Sequence, residues 1–213
     1  MAIDLVFSPA LTTDNMTLEM VNEWGDIRGV VVKDRQPIER VQPLVTGESA
    51  PFFSLTDTSD SWQASLFTAK GTSQSINLPD LLAQGPVVVS FYCPCWGSYA
   101  RPFLTALTQL GTDVRAAGGQ LVVFTNENPK YLAKQVEGAD LLLAYDADYA
   151  VARRFGVYSE TDPIWDRVSG ISEDVYVPAV YVIDRFRRIQ YHFLDENFEG
   201  FHQQANVLNE LFL

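Results

Sequence analysis

The chain has 213 residues, 47% hydrophobic and 20% charged, with a net charge of −12. That length suits one α/β domain with an appended segment and is ample for a substantial core. The acidic balance argues against nucleic acid or an anionic membrane as partner, and no run reaches the ~18 continuous apolar residues of a bilayer span.

The N-terminus, Met1-Ala2-Ile3-Asp4-Leu5, lacks the basic start and long apolar stretch of a secretory signal, so a cytoplasmic location is expected. Residues 1–45 read as an N-terminal extension that packs on the main domain or mediates a homodimer. Within it the pattern predicts a short helix over residues 17–24 and a strand over 29–33. Residues 43–51 form a connector, and 52–55 a short strand. A polar stretch through Ser75 leaves room for a hairpin around residues 61–64. Residues 78–82 predict a short helix capped by Asn77 or Ser75.

Residues 86–92, Pro-Val-Val-Val-Ser-Phe-Tyr, are short, β-branched and aromatic, the mark of a fully buried strand. A helix over 102–117 follows, with Phe103, Leu104, Leu107, Leu110 and Val114 at helical spacing. Gly118-Gly119 ends it. Strands are predicted at 120–125 and 141–145, with helices at 129–136 and 148–155, the latter stopped by Gly156. Residues 157–176 read as a looser, partly helical insertion. Residues 178–184 and 188–193 make a hairpin, and the last helix runs over 200–211. This order, β-α-β-α-β-α, a β-hairpin, then α, predicts a mixed sheet with helices on both faces.

The chemistry-bearing residues are the two cysteines, Cys93 and Cys95, which flank Pro94 just beyond the strand at 86–92. Thiols at the C-terminal end of a strand, beside a helix N-terminus, sit where an α/β sheet exposes reactive groups. The helix dipole also favours the thiolate there. In a reducing compartment such a pair is more often catalytic or metal-binding than structural. The plainer reading is that the two small side chains fill a buried gap. Cysteines one residue apart bond only through a small, strained ring, which favours oxidising or isomerising partner thiols over reducing them. Cys95, nearer the helix, is the expected nucleophile, and Cys93 its resolving partner.

Other groups offer less. Trp96 and Tyr99 either form an apolar lip to the site or simply pack. Arg153 or Arg154 would steady a thiolate or peroxide anion, or merely solvate a helix face. His192 and His202 fall on a hairpin and a terminal helix, which makes a four-ligand metal site poorly supported. Asp146, Asp148 and Glu160 read as solvated surface, and Asp162, Asp166 and Glu173 as loop charges. No phosphate loop, nucleotide fingerprint or Ser-His-Asp order appears, so no cofactor is expected.

Four segments carry a resemblance. Residues 47–55 (Gly-Glu-Ser-Ala-Pro-Phe-Phe-Ser-Leu) look like the Gly-x-x-Ala-Pro-x-Phe-x-Leu opening of redoxins. Residues 87–92 look like their central strand, and 146–157, ending Phe155-Gly156-Val157, like their "Ala…Phe-Gly-Val" helix. Residues 177–184 are similar to the segment carrying a cis-proline. Together they resemble the thioredoxin-like superfamily and, within it, the peroxiredoxin-like AhpC/TSA (redoxin) family, over residues 46–213. The resemblance implies a thioredoxin-like α/β fold and thiol chemistry on a peroxide or protein disulfide, with a thiol reductant as second partner. It also implies a substrate groove shaped by Trp96, Val177 and Pro178. Relatives usually carry Cys-x-x-Cys directly after the Trp; here Gly97 and Ala100 stand at those positions. A redoxin fold that has lost thiol chemistry and binds a partner is therefore the competing reading.

Overall fold

The computed structural model describes residues 15–21, 27–33, 40–55, 66–68, 76–164, 168, 171 and 175–212. It divides into two compact units, residues 1–39 and 40–213. In the first, β1 (Asn15–Val21) and β2 (Ile27–Lys33) pair antiparallel from Asn15 opposite Lys33 to Val21 opposite Ile27. The helix expected from residue 17 is therefore a strand as far as Val21; residues 22–24 lie outside the described residues. Leu18, Glu19 and Met20 favour a helix locally, and pairing with the strand at 27–33 overrides that weak preference.

In the second unit, β3 (Ser54–Leu55) pairs with β5 (Ile76–Asn77). The hairpin expected around residues 61–64 lies outside the described residues, and β4 (Leu66–Thr68), which the sequence did not suggest, follows it. Then comes α1 (Leu78–Leu82), where the Asn77 side chain accepts from the Asp80 N–H as the sequence predicts, and Pro79 sits in the first turn. β6 (Val87–Tyr92), α2 (Ala100–Ala116), β7 (Gln120–Thr125), α3 (Pro129–Gln135), β8 (Leu142–Tyr145) and α4 (Ala150–Arg154) follow in alternation. β9 (Ala179–Ile183) and β10 (Ile189–Leu194) form the hairpin, and α5 (Gln204–Asn209) ends in a short 3-10 turn.

One sheet organises this unit, in the order β10-β9-β6-β7-β8-β4. β6, β7 and β8 run parallel; β9, β10 and β4 are antiparallel to their neighbours. Every residue of β6 is buried, as its unbroken apolar run requires of a central strand covered on both faces. α2 lays Phe103, Leu104, Leu107, Leu110 and Val114 into the core, the spacing of one helical face. Gly111 lets the helix pass close by: a Cβ there would stand 2.7 Å from the Asp140 carbonyl oxygen.

Residues 40–47 are tied to this unit by backbone bonds. Leu44 donates to the Phe155 carbonyl and Gly47 to that of Ile189. Val41 donates to the carboxylate of Asp162, a buried side chain rather than the solvated loop charge its sequence context suggests. Asp146 is likewise only 2% exposed and caps the first turn of α4, accepting from the Val151 and Ala152 N–H groups at 3.0 and 2.9 Å. Burial holds its carboxyl above the ordinary value, against the opposing pull of those N–H donors. Asp146→Ala leaves both donors unpaired in a dry site and is expected to cost about 2 kcal/mol. A urea titration would show this as a lower midpoint with an unchanged slope.

Buried phenols set the alkaline limit of stability. Burial raises Tyr176 and Tyr181 well above the ordinary tyrosine value, and Tyr92 is pushed up to about 12 by burial and then by Glu127. The folded state keeps protons that the unfolded chain releases near pH 10. The stability from these phenols is therefore fully present below about pH 10 and falls as pH rises above it. The melting temperature is expected to drop steeply above pH 10; a profile flat to pH 11.5 would contradict this.

Candidate active site

β6 delivers the chain to the middle of the sheet, between β9 and β7, and Cys93 is the first residue beyond it. Cys93 and Cys95 are joined as a disulfide, with Cα atoms 5.2 Å apart. Cys93 is 2% exposed, whereas Cys95 is only partly buried. The Cys95 N–H donates to Cys93 Sγ at 3.1 Å. The loop then winds through a 3-10 turn, Gly97–Tyr99, straight into the 17-residue helix α2. The two sulfurs thus lie within a few residues of a helix N-terminus, whose dipole favours negative charge.

Tyr176 fixes the platform beneath this loop. Its fully buried hydroxyl donates to the Tyr92 carbonyl at 2.6 Å and accepts from the Asn126 N–H at 2.8 Å. It thereby ties the C-terminal ends of β6 and β7 together, and these are the strand ends that set the loop's position. The loose segment 157–176 supplies this residue, and nothing in its sequence pattern marks it.

Trp96 does not form a lip. It is 2% exposed and meets the rings of Tyr92, Tyr99, Phe103, Tyr176 and Phe198 edge-on, with centroids 5.6–6.0 Å away. Tyr99 lies beside Asp195, and burial followed by that carboxylate raises its hydroxyl well above the ordinary value. Asp195 in turn accepts from the Glu199 and Gly200 N–H groups at 2.9 and 2.8 Å. That turn holds Phe198, at φ +58°, over Trp96 and Tyr99.

Val177 and Pro178 are buried as well. Every described peptide bond is trans, so the cis-proline implied by the resemblance is absent at Pro178. The residue sits at the start of β9, beside the end of β6, where Phe91 faces Ala179, and its carbonyl accepts from the Asp195 N–H. None of Trp96, Val177 and Pro178 lines the groove that opens beside the cysteine loop. That groove has a volume of about 560 Å³ and starts at Tyr92, Pro94 and Gly97. It continues along α2 over Ala100, Arg101, Leu104, Thr105 and Thr108, and ends at Gln135 of α3.

Arg153 and Arg154 are engaged elsewhere. Arg153 meets the Glu160 carboxylate, the Asp148 carbonyl and the Tyr158 ring, while Arg154 donates to the Phe52 carbonyl. His192, on β10, takes hydrogen bonds from Thr46 at Nδ1, which assigns its proton to Nε2. Asp166 and Glu173 lie outside the described residues.

The AhpC/TSA family model matches residues 46–192. The chain belongs to the AhpC/TSA family. Solved structures agree on the fold of this AhpC/TSA protein. Peroxidoxin BcpB from Mycobacterium tuberculosis is 21% identical, covering 79% of this chain and 97% of its own, with TM-score 0.56. Mycobacterium tuberculosis AhpC is 13% identical over 80% and 93%, TM-score 0.59. The reduced 2-Cys peroxiredoxin of Plasmodium vivax is 14% identical over 78% and 79%, TM-score 0.58. No curated protein matches the sequence. The fold is thus the thioredoxin-like α/β fold.

At the first of the two positions where relatives usually carry cysteine, Gly97 has φ +58° and nothing within 4 Å of a built Cβ. There is room for a side chain, but the backbone has entered the left-handed region that favours glycine.

Proposed function

We propose that this protein is a thiol-dependent oxidoreductase of the redoxin class, cycling Cys93 and Cys95 between dithiol and disulfide. The observation that carries this reading is the asymmetry of the pair. Cys95 is only partly buried, while Cys93 is buried and its sulfur accepts the Cys95 N–H.

In this reading a partner thiolate attacks Cys95 Sγ, and the Cys93–Cys95 bond breaks. Cys93 leaves as a thiolate, stabilised by the same N–H and by the α2 dipole. A second partner thiolate attacks the mixed disulfide, expelling the Cys95 thiolate. The partner is oxidised by two electrons and the Cys93/Cys95 pair is reduced by two. A peroxide closes the cycle. The Cys95 thiolate takes one oxygen to become a sulfenic acid, the other oxygen leaves as alkoxide or hydroxide, and Cys93 condenses with the sulfenic acid to restore the disulfide and release water. Run the other way, the dithiol reduces a protein disulfide at the expense of a thiol reductant. Of the expected extension 1–45, residues 1–39 form the separate unit and are in this reading the part available to pair two copies.

The test is differential alkylation of the reduced protein across pH, read by mass spectrometry, followed by mild peroxide. The expected result is rapid labelling of Cys95 with a midpoint below the ~8.5 of a free thiol, slow labelling of Cys93, and recovery of the disulfide. Equally slow cysteines that no thiol opens or peroxide rejoins would overturn the proposal. They would favour the second reading, a binding protein without thiol chemistry, for which the replacement of both usual cysteines by Gly97 and Ala100 speaks.

A further inference from the structure

We infer that the groove along α2 binds a short cysteinyl peptide bearing a carboxylate, and so selects the thiol partner of the disulfide. The inference rests on the proposed function for its chemistry and on the groove alone for its specificity.

Three observations carry it. The groove begins at Tyr92, Pro94 and Gly97, on either side of Cys95, so a chain lying in it has its end beside the cysteine loop, although neither cysteine is itself a lining residue. It then follows α2 from Ala100 to Thr108, about 12 Å at 1.5 Å per residue. That length holds about four residues of extended chain and far exceeds what a peroxide needs. Its polar lining is Tyr92, Arg101, Thr105, Thr108 and Gln135, with no carboxylate among the lining residues, Glu127 acting on the Tyr92 hydroxyl from outside it.

Arg101 is the cation of the groove, and it makes no ion pair among the described residues. It is the second residue of α2, so the positive end of the helix dipole reinforces it. The Thr105 and Thr108 hydroxyls donate to carbonyls of their own helix, which leaves their oxygens to accept N–H groups of a bound backbone. Gln135 offers both a donor and an acceptor. A net charge of −12 repels anions at long range, but screening over ~8 Å at physiological salt leaves the local cation in control.

The test compares acetyl-Cys-Ala-Asp-amide with acetyl-Cys-Ala-Asn-amide as reductants of the oxidised full chain, following the rate at which the disulfide opens. The Asp peptide should react about three- to fivefold faster at low salt, the size of one exposed ion pair. The ratio should fall to one in high salt and in Arg101→Gln. Equal rates for the two peptides in the unmodified protein would overturn the inference.

A second arm needs no redox chemistry. The S-methylated Asp peptide should perturb the backbone amide resonances of residues 97–108, and do so less in Arg101→Gln. Binding in this arm with no thiol able to open the disulfide would refute the catalytic reading and leave the groove standing. Thiol reactivity with no perturbation would do the reverse. The blocked peptides represent a protein segment; unblocked Ala-Cys-Gly, compared with its C-terminal amide, represents a free peptide thiol. A carboxylate preference in either pair supports the inference and identifies the source.

Discussion

Cys95→Ser is expected to abolish thiol–disulfide and peroxide turnover, down to the uncatalysed background, while Cys93→Ser permits the first step and stalls at the second. The division follows from burial. The partly exposed Cys95 is the sulfur a partner can reach, and a serine there leaves the 2%-exposed Cys93 as the sole thiol. With Cys93 replaced, Cys95 still attacks, but nothing in the chain displaces the product. A stoichiometric mixed disulfide with the partner should accumulate, or, under peroxide, sulfinic acid at Cys95. Intact-protein mass spectrometry separates these species. Turnover retained by Cys95→Ser would assign the activity to some other group and end the proposed mechanism. Equal loss in both variants without a trapped adduct would mean that the pair acts only as a structural link.

The elements that sequence reading places well are those whose signal is local. Residues 87–92 and 120–125 are apolar on both faces and emerge as the sheet's central parallel pair. Asn77 caps α1 through a contact three residues away. What escaped depends on distant partners. The Asn15–Val21 strand exists through its pairing with Ile27–Lys33, and Leu66–Thr68 through antiparallel pairing with β8. The site divides in the same way. Two cysteines around one proline are visible in any reading of the chain, and so is the helix that follows them. The buried carboxylates at 146 and 162 look like surface charge, because their partners are backbone N–H groups that sequence does not display. Tyr176 is anonymous until its hydroxyl is seen bridging two strand ends. The groove escaped for a related reason: helical periodicity along α2 reports the buried face, which the groove shares only at Ala100 and Leu104.

Trp96→Ala should be the most destabilising single change near the site, at about 3–5 kcal/mol, or about 10 °C in melting temperature for a chain of this size. Trp96 is the shared neighbour of five rings drawn from β6, the 3-10 turn, α2, the Tyr176 segment and the Asp195 turn. Removing it leaves those elements facing a cavity that none can fill alone. Trp96→Phe separates volume from polarity. The indole Nε1 is buried and finds no hydrogen-bond partner among the described residues, so the native side chain carries an unpaired donor that phenylalanine lacks. The phenylalanine variant should therefore fall closer to wild type than its smaller ring suggests. Because Trp96 directly follows Cys95, the alanine variant should also loosen the loop and speed the opening of the Cys93–Cys95 disulfide by a small-molecule thiol, in step with its loss of stability. Thermal melts and disulfide-opening rates for the two variants test both links. An alanine variant that melts with wild type would show that the aromatic cage is not what holds the cysteine loop in place.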